Sequence, residues 1–197
     1  MKNFCLVLFS IVLLSSCSRD SEMDRTIFIP DEDNAALPAY TEWGYNSFGA
    51  EYERDYFLVS HAIVPCKIVY NRDKQLEFSL QGRLRNSQAM TLTFIFSSVP
   101  SMQNYTDLVQ LNDLKIDLSG DDCTVKILQD GSETVIEELS GEFHFKRTQL
   151  LSIDEKVNRV ILSGTFDLQF LQNELPASIS DGRFDLGITG KDFFAYK

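Results

Sequence analysis

Two histidines stand in 197 residues, and neither His61 nor His144 falls in a motif with metal-ligand spacing. No Cys-x-x-Cys occurs, so zinc ribbons and dithiol redox sites are not indicated. Gly-x-Ser-x-Gly is missing, and with it the α/β-hydrolase nucleophile motif. No glycine-rich phosphate loop and no Gly-x-Gly-x-x-Gly is present. Basic residues are scarce: 18 Lys and Arg stand against 29 Asp and Glu, for a net charge of −11. Such a chain offers nucleic acid no electrostatic footprint, and an anionic membrane surface repels it. The acidic excess serves solubility. No cofactor and no metal is expected.

What is present begins with a short apolar run. Residues 4–14 follow Lys2 and close in Leu14-Ser15-Ser16-Cys17. A membrane-spanning helix needs roughly 20 apolar residues. A shorter run with a basic flank and small residues before a cut is a secretory signal. Its ending looks like a lipobox, where Cys17 is acylated with palmitate-like chains and becomes the new N-terminus. Lipobox cysteines carry a diacylglyceryl group and an amide-linked chain. One chain anchors only marginally and several anchor stably. The expected organisation is a lipoprotein signal peptide over 1–16, a flexible acidic tether over 17–37 and a single β-rich domain over 38–197.

Of four cysteines, Cys5 leaves with the signal and Cys17 takes the lipid. Cys66 and Cys123 remain, in a compartment where disulfides persist. They are a candidate disulfide, with two free buried thiols the slightly preferred reading. The tether is polar and acidic, apart from Ile27-Phe28-Ile29, which can dock on the domain. Asp31-Glu32-Asp33 lacks the spaced ligands and turn glycine of a calcium loop.

From Asn46 onward apolar residues recur with period two, as in half-buried antiparallel strands. Glu53-Arg54-Asp55 separates two strands of a hairpin. Asp130-Gly131 suits a type I′ turn. Residues 104–114 hold the best helix signal, and 173–176 read as a loop. Phe143 and Phe145 flank His144, which points away from their face. The expected fold is all-β: an antiparallel β-sandwich or partly closed barrel, with one short helix near 105–112. Fifteen phenylalanines suit a core between sheets. A Gly-x-Phe-x-apolar pattern recurs at Gly141, Gly164 and Gly182. It marks close backbone approach; three equivalent binding loops are the other reading.

Carboxylates that could pair for glycoside hydrolysis include Asp117, Asp121, Asp122, Glu137, Glu138, Asp167, Asp181 and Asp185. Asp167 and Asp185 each follow a core phenylalanine, and on neighbouring strands they would share a face near Arg183. An exposed ion pair there would stabilise little.

Residues 37–50 read Leu-Pro-Ala-Tyr-Thr-Glu-Trp-Gly-Tyr-Asn-Ser-Phe-Gly-Ala. This stretch resembles the opening of small Bacteroidetes lipoproteins of unknown function, which carry Thr-x-x-Gly-x-Asn-Thr-Phe-Gly. The match runs through Thr41, Gly44, Asn46, Phe48 and Gly49, with Ser47 for the second threonine. Gly164-Thr165-Phe166 and Asp181-Gly182-Arg183-Phe184-Asp185 are similar to the strands that end those proteins. After Gly49 the chain departs, with Glu53-Arg54-Asp55-Tyr56 in place of a short Asn-Gly turn and an aromatic. The resemblance implies an all-β, membrane-anchored domain and no particular activity. The acidic residues after Cys17 resemble surface-export signals of the same bacteria.

Tyr40, Trp43 and Tyr45 form a candidate binding platform, since such rings stack on sugars or anchor protein partners. The leading expectation is a non-catalytic lipoprotein of the outer membrane, periplasmic or surface-exposed, that binds or scaffolds an envelope protein or a glycan. One alternative is a barrel carrying a small hydrophobic ligand, which requires a cavity lined by the phenylalanines. The other is a glycoside hydrolase-like enzyme, which requires a cleft with two close carboxylates and one raised pKa.

Overall fold

The structure is a computed structural model that describes residues 24–60, 65–85, 87–153, 156–172 and 174–196. Cys17, the rest of 1–23 and His61 lie outside the described residues. The strands are β1 (Ser47–Tyr52), β2 (Asp55–Val59), β3 (Cys66–Tyr70), β4 (Leu76–Leu84), β5 (Ala89–Phe96) and β6 (Leu114–Asp117). They continue as β7 (Cys123–Gln129), β8 (Ser132–Val135), β9 (Glu137–Ile153), β10 (Lys156–Gln172), β11 (Leu175–Ile188) and β12 (Phe193–Ala195).

All twelve belong to one sheet, in the order β6-β9-β10-β11-β1-β2-β4-β5-β7-β8. Pairing along this path is antiparallel. β4 holds β3 along Leu76–Leu80 and β2 along Gly82–Leu84, and β12 joins β3 in parallel. The sheet does not close into a barrel. It folds over itself as a sandwich, because its two limbs share one core of rings. Phe78 of β4 and Phe94 and Phe96 of β5 meet Phe143 and Phe145 of β9, Phe166 of β10 and Phe184 of β11. Ring centroids lie 4.7 to 5.9 Å apart across these limbs, within the range for attractive edge and tilted contacts.

Period two produces this directly. In β4 the residues Leu76, Phe78, Leu80, Gly82 and Leu84 are buried, and the residues between them are not. The Asp130-Gly131 turn has φ of 51° and 78°, the two positive values a type I′ turn needs. The helix signal at 104–114 appears as a 3₁₀ helix, Tyr105–Leu111, capped by Asn104 and Asp107 in a capping box. It buries Leu108 and Leu111. Its C-terminal neighbours, Leu114–Asp117, form edge strand β6 instead of a longer helix.

One expectation needs correction, and two alternative readings fall away. The stretch expected as a loop to Pro176 is not all loop, since β11 already starts at Leu175. The three Gly-x-Phe-x segments lie inside β9, β10 and β11, not in binding loops. There Gly164 faces Phe184 and Gly182 faces Phe166. A Cβ on either glycine would sit 2.6 or 2.5 Å from the opposing ring, so each ring lies across the neighbouring strand's glycine. Finally, the candidate disulfide is not formed: Cys66 and Cys123 are free and buried, the preferred of the two readings. Cys66 faces Leu80 of β4, whereas Cys123 aligns through Phe96 with Leu76. Three strand spacings and four residues of offset separate them by about 20 Å, against the ~7 Å limit for a disulfide.

The tether expectation is also corrected from Asp24 on. Leu37 is fully buried, Pro30 bridges to Pro38, and the Ile27 N–H donates to the Tyr45 carbonyl at 2.9 Å. Residues 24–46 form a strap docked on the domain.

Candidate functional site

The strap crosses the outer face of β10 and β11, the face turned away from the phenylalanine core. At its centre is Asp185, 1 % exposed. Alternation places it on the opposite face from Phe184 and Leu186, so it would point to solvent were the strap not there. Its Oδ2 accepts from Thr41 Oγ1 at 2.5 Å, the Trp43 N–H at 3.1 Å and the Tyr45 N–H at 3.2 Å. Its Oδ1 accepts from the Gly44 N–H at 2.7 Å and from Ser163 Oγ, on the adjacent strand, at 2.9 Å. Successive backbone N–H groups folded round one carboxylate form an anion nest built from the chain's own residues.

The loop sequence explains how the nest closes. Gly44 has φ of 73° and packs against Gly187, where a Cβ would meet Ile161 at 3.2 Å. Asn46 takes the left-handed conformation at φ 54° and accepts from the Gly187 N–H at 2.9 Å. Thr41, Gly44 and Asn46 of the quoted motif thus all serve one clasp. Further fastenings flank it. Buried Arg159 reaches Asp24 at 3.3 Å, and Gln149 donates to the Glu42 carbonyl at 3.2 Å. Arg183 meets Asp31 at 2.6 Å. Asp31 is held below the ordinary carboxylate range by the Asn34 N–H first, with the Asp33 N–H and Arg183 adding to it.

Asp185 and Asp167 therefore do not share an open face beside Arg183. Asp185 is sealed beneath the strap. Asp167 is exposed and accepts from the Asp181 N–H at 2.8 Å. Desolvation by its neighbours pushes its pKa up, with the charges of Asp181 and Glu142 adding to this. Asp181 and Glu142 have 61 % and 57 % exposed side chains, so the group stands on an open strand surface and not in a cleft.

The three platform rings are presented differently. Trp43 is 70 % exposed while its backbone is pinned to Asp185. Tyr40 is half-buried, its hydroxyl donating to Glu42 at 3.0 Å and its ring under Lys146 Nζ at 4.9 Å. Burial first, then Glu42, raises the Tyr40 phenol pKa. Tyr45 is half-buried as well. The platform is thus reduced to one open indole on a fixed loop, with the Tyr40 and Tyr45 rings half-buried.

His144 stands apart, its Nε2 2.9 Å from Asp113 Oδ1 at the β6 edge. The Cys123 thiol is pushed up to about 12 by burial, and Cys66 well up by burial and then Asp192. Neither is a reactive thiolate at neutral pH. Among the described residues, no group of three or more His, Cys, Asp or Glu side chains could hold a metal ion, and no helix is long and apolar enough to cross a membrane.

Sequence reasoning missed Asp185 as the keystone. The available signal was a Thr-x-x-Gly-x-Asn loop rich in N–H donors with no acceptor assigned to it. Comparison with protein-family models, curated proteins and solved structures finds no match to this chain.

Proposed function

We propose that this protein is a lipid-anchored, non-catalytic binding or scaffold module of the bacterial outer membrane. Cys17 carries the lipid, and the Trp43 face makes the contact. The observation that carries the reading is an indole left 70 % exposed on a loop fastened by four hydrogen bonds to one buried carboxylate. A large apolar side chain in water on a fixed backbone has already met the backbone part of its ordering cost and gains free energy when a partner covers it. The lipobox supports the anchor. The packed rings between the limbs leave the phenylalanines occupied with one another, which favours a contact module over a ligand carrier. The exposed setting of Asp167 favours it over a hydrolase.

An envelope protein or a glycan suits such a face, and the membrane itself is within reach of it. The test is labelling with an alkyne fatty acid in a bacterial host that processes lipoproteins. Wild-type protein takes the label and sediments with membranes, and Cys17→Ser takes none. Unlabelled wild-type protein in the soluble fraction would overturn the reading.

A further inference from the structure

The strap exposes more apolar surface than the clasp requires. Ile27, Phe28 and Ile29 are 44 %, 38 % and 41 % exposed, and Trp43 is 70 % exposed. They run along the indole's loop, as the Ile27 N–H donates to the Tyr45 carbonyl at 2.9 Å and the Ala39 N–H to the Ile29 carbonyl at 2.7 Å. Four large apolar side chains are thus exposed on segments joined by backbone hydrogen bonds, and a concentration of exposed apolar residues on one part of a surface marks a docking region.

We infer that this patch rests in the headgroup interface of the bilayer that holds the anchor. The inference rests on the acylation of Cys17 proposed above and names the partner of the Trp43 face. Chain length is the first argument. Ile27 follows Cys17 by ten residues, so the patch stays within about 35 Å of the anchor even at full extension. A surface tethered that closely meets the membrane at high effective concentration, and weak individual contacts then suffice. Residue type is the second. Tryptophan prefers the headgroup level, where its apolar body and its N–H are both accommodated, and Ile and Phe gain by entering the acyl boundary. Charge is the third. The patch is bordered by both signs, with Glu42 near Arg147 and Asp24 on Arg159, while the whole chain carries −11. A zwitterionic surface accepts this and an anionic one repels it.

Trp43 is the chain's one tryptophan, so intrinsic emission reports on this surface alone. The chain from Cys17 onward is coupled through the Cys17 thiol to a maleimide lipid in phosphatidylcholine vesicles. Buried Cys66 and Cys123 leave Cys17 as the reactive thiol. The expected result is a blue-shifted emission that bromines on the acyl chains quench. Phe28→Asp and Ile29→Asp each lose much of that quenching while melting as wild type does. Leu175→Asp, at the opposite end of β11 and 69 % exposed in wild type, retains it. Unquenched emission at the wavelength of an indole in water would overturn the inference. So would quenching indifferent to Phe28→Asp and Ile29→Asp, or a blue shift obtained with a soluble glycan or a purified envelope protein but not with vesicles. Because the coupling is chemical, the outcome is independent of whether cells acylate Cys17. Fatty-acid labelling decides that question separately.

Discussion

The two faces of strands β10 and β11 are buried by different chemistry. On the inner face Leu162, Phe166, Phe184 and Leu186 are nearly or wholly inaccessible, packed against rings from the opposite limb. On the outer face Ser163 and Asp185 are equally inaccessible, yet what covers them is a strap held by hydrogen bonds. Inner burial is non-directional and scales with apolar area. Outer burial is directional and depends on each donor finding its acceptor. The first makes a core that many sequences could fill. The second fixes one backbone conformation, and through it the position of Trp43.

Substitutions separate the two kinds of burial. Phe143→Ala has the largest expected effect, because that ring touches Phe78, Phe94, Phe96, Phe145, Phe166 and Phe184. A loss of about 3–5 kcal/mol in denaturant unfolding is expected for a buried phenylalanine of this kind. Asp185→Ala removes no apolar contact, yet it strands three backbone N–H groups and two hydroxyls. Its expected cost is about 3 kcal/mol. A cost below about 0.5 kcal/mol, within the range of ordinary surface substitutions, would show that the strap contributes nothing to the fold.

Titration gives smaller and more selective tests. Burial raises the Cys123 thiol from 9.0 to about 12, so the folded state holds that proton more tightly than the unfolded state. Its contribution is whole below pH 9 and is lost as pH climbs toward 12. Cys123→Ala should flatten part of this alkaline loss, which thermal melts across that range would show. Asp31 titrates with the opposite sign. Its pKa is lowered from 3.8 in the folded state, so the strap fastening it makes is complete above that pH and is lost as pH falls below it. Asp31→Asn should make the acid limb shallower while leaving the alkaline limb unchanged. The smallest effect belongs to Trp43→Ala. With the indole in water, its melting should match wild type within about 0.5 kcal/mol. A large drop would mean that the ring packs, and would remove the case for a contact surface.

The inner face was legible in the sequence because alternation and burial share a period of two. Phe78, Phe94, Phe166 and Phe184 all point where their spacing says. The type I′ turn at Asp130-Gly131 was legible for a similar reason, since few residues accept its dihedrals. The outer face was not legible. Asp185 alternates with Phe184 and Leu186 as a solvent-facing residue would, and only a segment 140 or more residues earlier in the chain turns it inward. Composition misled in the same place. The acidic residues of the 24–37 segment read as a free tether, although Asp24 and Asp31 are the groups that fasten it to Arg159 and Arg183. The exposed indole was legible only as an aromatic residue in a loop, because exposure depends on what the backbone hydrogen bonds leave outside.

The most direct test is amide hydrogen exchange at Trp43, Gly44 and Tyr45, in wild type and in Asp185→Ala. If Asp185 holds the strap, these three amides exchange slowly in wild type, on the scale of amides within β10. In the variant they exchange fast, while Phe78 and Phe94 in the opposite limb stay protected. Fast exchange at the three amides in wild type, or equal protection with and without the carboxylate, would contradict the account.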